Sequence, residues 1–308
     1  MNRARTKTKT LVIVNPASGG GRAARAEPRV ASYFVAQGAQ ADFVRSVSGD
    51  DIREKASRAV AEGYRCVAAL GGDGAFHHVV EGVRGTSATA AFLPAGNGND
   101  IAAALGIPTD PIAAAEVLLG GHARAVDLIG VRLASGTTAH YIGAGGLGLD
   151  AAAAYLANTR FKAWPGLTRY VAGAVEAVRL EPTLALEAEL DDERWNGEAL
   201  FAAVANGPRY GAGIRIAPEA KIDDGWMDVL IVGKLPIARL VEGLATLIAT
   251  GDVRFPEVRR YRCKRAAMRT VVPAKVHGDG ELLGESPAKF EIVPGAIRVM
   301  APRLGQQD

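Results

Sequence analysis

Three times in the first third of this chain a short apolar run breaks into a glycine-rich turn, and a helical pattern follows. Leu11-Val12-Ile13-Val14 leads to Asn15-Pro16 and then Gly19-Gly20-Gly21. Cys66 to Leu70 leads to Gly71-Gly72-Asp73-Gly74, and Thr89 to Leu93 leads to Pro94-Ala95-Gly96-Asn97-Gly98-Asn99-Asp100. Helical patterns run over 22–37, 50–62, 76–83, 99–105 and 111–119, with a further strand over 41–44. Such alternation predicts a parallel sheet with helices on both faces. Ligands of such sheets bind beyond the carboxyl ends of the strands, which is the edge where all three turns fall.

Each turn has its own chemistry. A strand that turns on glycines into a helix start exposes several backbone N–H groups, a nest that attracts phosphate. Asp73 adds a carboxylate to the Gly71–Gly74 turn, which suits a magnesium ion held between carboxylate and phosphate. An ordinary tight turn accounts equally well for these four residues taken alone. The first turn is not a Walker A loop, because Gly21 is followed by Arg22-Ala23 and not by Lys-Ser/Thr, and it lacks the dinucleotide Gly-x-Gly-x-x-Gly spacing. In the third turn Asn97 and Asn99 offer amide groups to phosphate or ribose. Asp100 serves as readily as a helix cap.

The pattern changes near Val126-Asp127. Strands then dominate, over 127–133, 138–142, 184–190, 198–205, 227–232, 268–272, 289–293 and 297–300, interrupted by helical stretches over 155–179 and 237–250. A mostly antiparallel β domain is expected. The boundaries are 1–128 for the α/β domain and 129–301 for the β-rich one, with about 302–308 free to pack back on the first. Two turns in the second part carry acids: Lys221-Ile222-Asp223-Asp224-Gly225-Trp226 and His277-Gly278-Asp279-Gly280-Glu281. Alternating acids and glycines make plain hairpin loops. They can also present one acid to a hydroxyl, as general-base chemistry needs.

Taken together the motifs resemble the diacylglycerol kinase catalytic-domain family of soluble lipid kinases, which includes bacterial diacylglycerol, sphingosine and ceramide kinases. The matching elements fall in the family's order: Asn15-Pro16-x-Ser18-Gly19, Gly71–Gly74, Pro94-Ala95-Gly96-x-x-Asn99-Asp100, Val126-Asp127, Gly146-x-Gly148-x-Asp150-Ala151, Asn206-Gly207, Gly211-x-Gly213 to Pro218, Asp224-Gly225 and Asp279-Gly280-Glu281. The resemblance implies an α/β nucleotide domain of NAD-kinase/phosphofructokinase type. It further implies a C-terminal, mostly antiparallel β-sandwich and an active site in the cleft between them. It implies ATP held by Asn15, Pro16, Ser18, Gly19, Gly20, Ser46, Gly71, Gly72, Asp73, Gly74, Ala75, Gly96, Asn97 and Asn99. Asp73, Asp100 and Asp127 would support Mg²⁺ directly or through water. Lys221, Asp224 and Trp226 would form a second metal site, the tryptophan through its carbonyl. Asp279 and Glu281 would activate the acceptor hydroxyl, either of them being the base. The chain departs from the family pattern at Ala75, where Thr is usual, at His78, where Glu is usual, and at Gly143, where Asn is common.

The remaining expectations concern the setting. With 308 residues, 48% of them hydrophobic, the chain can bury a sizeable core. Its two cysteines lack metal spacing and fit a reducing compartment. A formal charge of +3 permits attraction to anionic lipid or nucleotide without requiring it. A cytoplasmic enzyme is expected, with peripheral contact at the inner face of the plasma membrane left open. Its partner would be a lipid alcohol at the membrane surface, with no nucleic acid, and the resemblance leaves room for a homodimer. Ala163 to Leu167 with Tyr170 and Val171, and the helix over 237–248 with Leu240, Leu244 and Leu247, are candidate membrane contacts, although core packing is the commoner role for such residues. The run Arg259, Arg260, Arg262, Lys264, Arg265 and Arg269 suits anionic lipid or a solvated strand edge. Two other readings stand beside the lipid kinase: an NAD-kinase-like phosphotransferase, and a non-catalytic nucleotide- or lipid-sensing pseudokinase, which Ala75 and His78 motivate.

Overall fold

The computed structural model describes residues 9–149, 156, 159–161, 164, 168–180, 183–211, 213–249, 253 and 255–303. Asp150-Ala151, Ala163, Pro165 to Leu167, and the side chains of Tyr170, Leu244 and Leu247 lie outside the described residues. The chain forms two compact units. One contains the residues up to Asp127 and those from Gly295 on; the other is Leu128–Pro294.

The first unit is built on parallel strands β1 (Thr10–Val14), β2 (Ala41–Arg45), β3 (Cys66–Gly71) and β4 (Thr89–Pro94) in the order β2-β1-β3-β4. Every residue of β1 and β3 is buried, as strands covered on both faces require. Between and after the strands come α1 (Ser18–Ala36), α2 (Gly49–Ala61), α3 (Asp73–Val83), α4 (Asp100–Leu105) and α5 (Pro111–Gly120). Local chemistry sets their starts. Ser48 caps α2 by accepting from Asp51 N at 3.1 Å, and Asp110 caps α5 by accepting from Ile112 N and Ala113 N, with Pro111 in the first turn. Phe76 of α3 stacks on Phe92 of β4 with ring centroids 4.6 Å apart, fixing that helix to the sheet.

The second unit is mostly antiparallel. Its strands are β5 (His122–Leu133, entering from the first unit), β6 (Thr138–Tyr141), β7 (Ala144–Gly148), β8 (Leu184–Leu190), β9 (Glu193–Ala205), β10 (Met227–Gly233), β11 (Val258–Cys263), β12 (Arg265–Thr270), β13 (Lys275–Gly278), β14 (Glu281–Glu285) and β15 (Ala288–Ala301). β9 is the hub, paired with β7, β8 and β10. Helices α6 (Thr168–Leu180) and α7 (Ile237–Ala249) belong to the same unit. Its core gathers Tyr141, Leu147, Val204, Met227, Met268 and Phe290, all nearly inaccessible to solvent.

One expectation needs correction. The two strands over 289–293 and 297–300 are a single strand, β15. Pro294-Gly295 has the composition of a turn, but Gly295 N donates to Asp127 Oδ1 at 2.7 Å and the chain runs on. The residues from Gly295 on therefore return to the first unit, earlier than the sequence boundary at 301. β15 lies parallel to β4 there, with Val299 opposite Ala90.

Candidate active site

The strand order of the first unit sets the expected nucleotide residues in a row. Ser46 N donates to Val14 O at 2.8 Å, Asn15 N to Leu70 O at 3.0 Å, and Ala95 N to Gly71 O at 2.6 Å. The ends of β2, β1, β3 and β4 are thus stitched together along one edge. Gly19, Gly20 and Gly21 take φ of 60, 65 and 86°, so the regular right-handed part of α1 begins at Arg22. L side chains rarely adopt that backbone, which accounts for three glycines in succession.

The Gly71–Gly74 and Pro94–Asn99 turns touch backbone to backbone. A Cβ on Gly72 would stand 3.1 Å from the Gly96 Cα, and one on Gly96 would stand 2.5 Å from the Gly72 Cα. The side chains nearby spend themselves on holding this approach. Buried Asn99, at φ 58°, accepts from Gly96 N at 3.0 Å and donates to Gly96 O at 3.1 Å. Asp73 accepts from Asp100 N at 3.1 Å and Ile101 N at 3.0 Å, capping α4 from another turn. Asn97 is exposed and its Oδ1 accepts from Arg22 at 2.8 Å; Arg22 also donates to the Gly96 carbonyl. Asn15 Oδ1 accepts from Ala17 N at 3.3 Å, closing the first turn. Ser18 Oγ lies beside Gly71. Ala75 is buried against Gly71, and the His78 ring covers Gly49 at the start of α2.

The second unit arranges its acids differently. Asp279, at φ 50°, begins the β13–β14 turn. Its Oδ2 accepts from Ile142 N and its Oδ1 from Gly143 N, each at 2.8 Å, while its own N donates to Ala144 O at 2.9 Å. The carbonyls of the same segment are held from the other side. Buried Asn206 donates through Nδ2 to Ile142 O at 2.9 Å and through N to Gly143 O at 2.8 Å. Glu281 follows two residues after Asp279 and is exposed. His277, just before, is buried and stacks on Tyr210 at 5.6 Å.

Of the acids expected at magnesium, Asp73 meets Asp100 through the backbone N–H of Asp100, and Asp127 is buried on β5, where it accepts from Gly295 N. Among the described residues no three His, Cys, Asp or Glu side chains gather closely enough to hold a metal by themselves. Magnesium usually keeps several waters and takes one or two carboxylates plus substrate phosphates; here both Asp73 oxygens accept from backbone N–H groups of α4. The Lys221–Trp226 turn does not fit a cation in this arrangement. Asp224 Oδ1 accepts from Trp226 N at 3.1 Å, and its other oxygen pairs with Arg262. Lys264 Nζ lies 4.7 Å from the Trp226 ring centre, adding a second positive charge.

Residues 9–131 match the model of the diacylglycerol kinase catalytic domain, and residues 143–301 match that of the YegS C-terminal NAD kinase beta sandwich-like domain. The chain belongs to the diacylglycerol kinase catalytic-domain family. A diacylglycerol kinase of Mycobacterium tuberculosis is 31% identical over 304 residues, covering 96% of each chain. A Pseudomonas aeruginosa relative, named a probable YegS-like lipid kinase, is 32% identical over 306 residues and covers 96% of this chain and 95% of its own. The crystal structure of a diacylglycerol kinase from Bacillus anthracis shares the fold, with a TM-score of 0.72 at 21% identity, over 96% of this chain and 97% of that one. Membership makes this chain a kinase of the lipid-kinase family, and a kinase of this family uses a nucleotide donor. Among its described residues no helix is long and apolar enough to cross a membrane.

Two residues give no sign of their role in the sequence. Arg22 rules out a Walker A loop there, and in the fold it ties α1 to the third turn. Asn206 stood in a quoted motif without a role, and its role depends on a segment 64 residues away.

Proposed function

We propose that the chain is an ATP- and Mg²⁺-dependent kinase that phosphorylates the hydroxyl of a membrane lipid alcohol of diacylglycerol, ceramide or sphingoid type. The observation that carries the assignment of roles is the bonding of Asp279. Both of its oxygens hold backbone N–H groups of Ile142 and Gly143, so it fixes the turn, and the exposed Glu281 is the base.

The work divides between the two units. The N–H groups of the Gly19–Gly21 and Gly71–Gly74 turns, with Asn97, hold the phosphates of ATP; Asn15, Ser18, Ser46, Gly96 and Asn99 keep those turns in place. Asp73 and Asp100 would hold magnesium, which offsets charge on the phosphates when bound. Glu281 takes the proton of the acceptor hydroxyl as its oxygen attacks the γ-phosphorus and ADP leaves. General-base help of this kind is worth about 10²–10⁴-fold in rate. Ala75 and His78 do not oppose this reading, because the first packs against Gly71 and the second against α2, each a structural role. Contact with the membrane is peripheral and cytoplasmic.

Transfer of label from ATP to a panel of diacylglycerol, ceramide, sphingosine and NAD tests the reading. Labelled lipid is expected. Labelled NAD alone would replace it with the NAD-kinase-like reading, and ATP binding with no transfer to any acceptor would leave a pseudokinase.

A further inference from the structure

We propose that one face of α1 carries a binding site for a small polyphosphate anion, additional to the donor nucleotide. Arg22, Arg25 and Arg29 are spaced three and four residues apart, which sets them along a single face of the helix. With Asn99 and Thr109 they line a cavity of about 330 Å³ walled by Pro94 and Pro111. No acidic residue is among the described residues that line it.

Two of the guanidinium groups are anchored on neutral oxygens. Arg22 donates to the Gly96 carbonyl and to Asn97 Oδ1, and Arg25 Nη1 donates to the Gly20 carbonyl at 3.3 Å. Such anchors orient a guanidinium without cancelling its charge. An oriented guanidinium meets phosphate through paired N–H groups and loses little freedom on doing so. All three arginines are exposed, so their attraction for an anion is screened and weakens as salt rises. The cavity lies at the small end of ligand pockets, a size for two or three linked phosphates or a small phosphate ester and not for a large cofactor. A lipid surface fits less well. Stable attachment to a bilayer combines charge with apolar insertion, and the exposed large apolar residues of this unit, Val35 and Val47, do not line the cavity.

The site is independent of which alcohol the kinase phosphorylates. Titration calorimetry of inorganic tripolyphosphate into the full chain, in magnesium-free buffer, tests it. Repeating the titration with a non-hydrolysable ATP analogue at saturation separates the site from the donor's. Binding is expected in both conditions, weakened about tenfold or more by R25Q and again by R29Q, with melting temperatures unchanged. Equal affinity in the double variant would overturn the proposal. So would loss of binding once the analogue is present, which would put the anion in the donor site. Binding to anionic vesicles through the same arginines, with none to tripolyphosphate, would overturn it in favour of a membrane.

Discussion

The glycine turns of the first unit and the acid turn of the second are both short, polar and rich in glycine, but they are built on opposite plans. In the first unit the groups assigned to bind are mainly backbone N–H, and the conspicuous side chains hold the backbone in shape: Asp73 caps α4 and Asn99 latches Gly96. In the second unit Asp279 gives both carboxylate oxygens to the N–H groups of Ile142 and Gly143, and its neighbour Glu281 is the acid we propose as the base. A motif residue is therefore not by that fact a contact residue. Its partners decide, and in this protein they come from 27 residues away for Asp73 and 137 for Asp279.

The comparison breaks most visibly at Glu281. Glu281→Gln should lower kcat by about 10²–10⁴-fold with the KM for ATP unchanged, measured by label transfer at saturating lipid. A parent-like kcat would remove the base from the second unit. The first unit should respond in the other parameter. Gly96→Ala puts a methyl 2.5 Å from the Gly72 Cα, a contact that only a shift of one turn can relieve. The KM for ATP should rise about tenfold or more, since loss of positioning alone reaches 10²-fold. An unchanged KM would mean that the touching turns do not set donor binding.

The smallest effect concerns stability. Burial pushes the Asp228 carboxyl above its usual value, nearby Asp224 and Glu219 add to the rise, and Arg262 and Arg260 oppose it. A raised carboxyl stabilises the fold fully only below its unfolded pKa, and that contribution is lost as pH rises through the folded value. Asp228→Asn should therefore raise the melting temperature by a few degrees at pH 7 and by progressively less as pH falls toward 4. A gain that persists undiminished at low pH would point to packing and not to charge.

Much of the first unit was readable from local pattern. The apolar runs of β1 and β3, the Asn15-Pro16 that ends the first and the glycines that end the second each declare themselves within a few residues. The second unit declared its strands by alternation, as in β8, where buried residues fall at Leu186, Ala188 and Leu190. Its site was harder to read. Nothing near Asp279 says that Ile142 and Gly143 lie opposite, because that contact depends on β13 pairing with β7. Likewise the carboxylate-rich turn at Asp224 suits a cation until β11, folded back beside β10, delivers Arg262. The Pro294-Gly295 pair misled for the same reason, since its outcome rests on Asp127.

The division of labour between Asp279 and Glu281 is the central claim, and a paired thermal melt tests it most directly. Asp279→Ala leaves the N–H groups of Ile142 and Gly143 without their acceptor and should cost about 1–3 kcal/mol for each, whereas Glu281→Gln should melt with the parent protein. If Asp279→Ala melts with the parent, or Glu281→Gln falls as far, the two acids do not divide the work in this way.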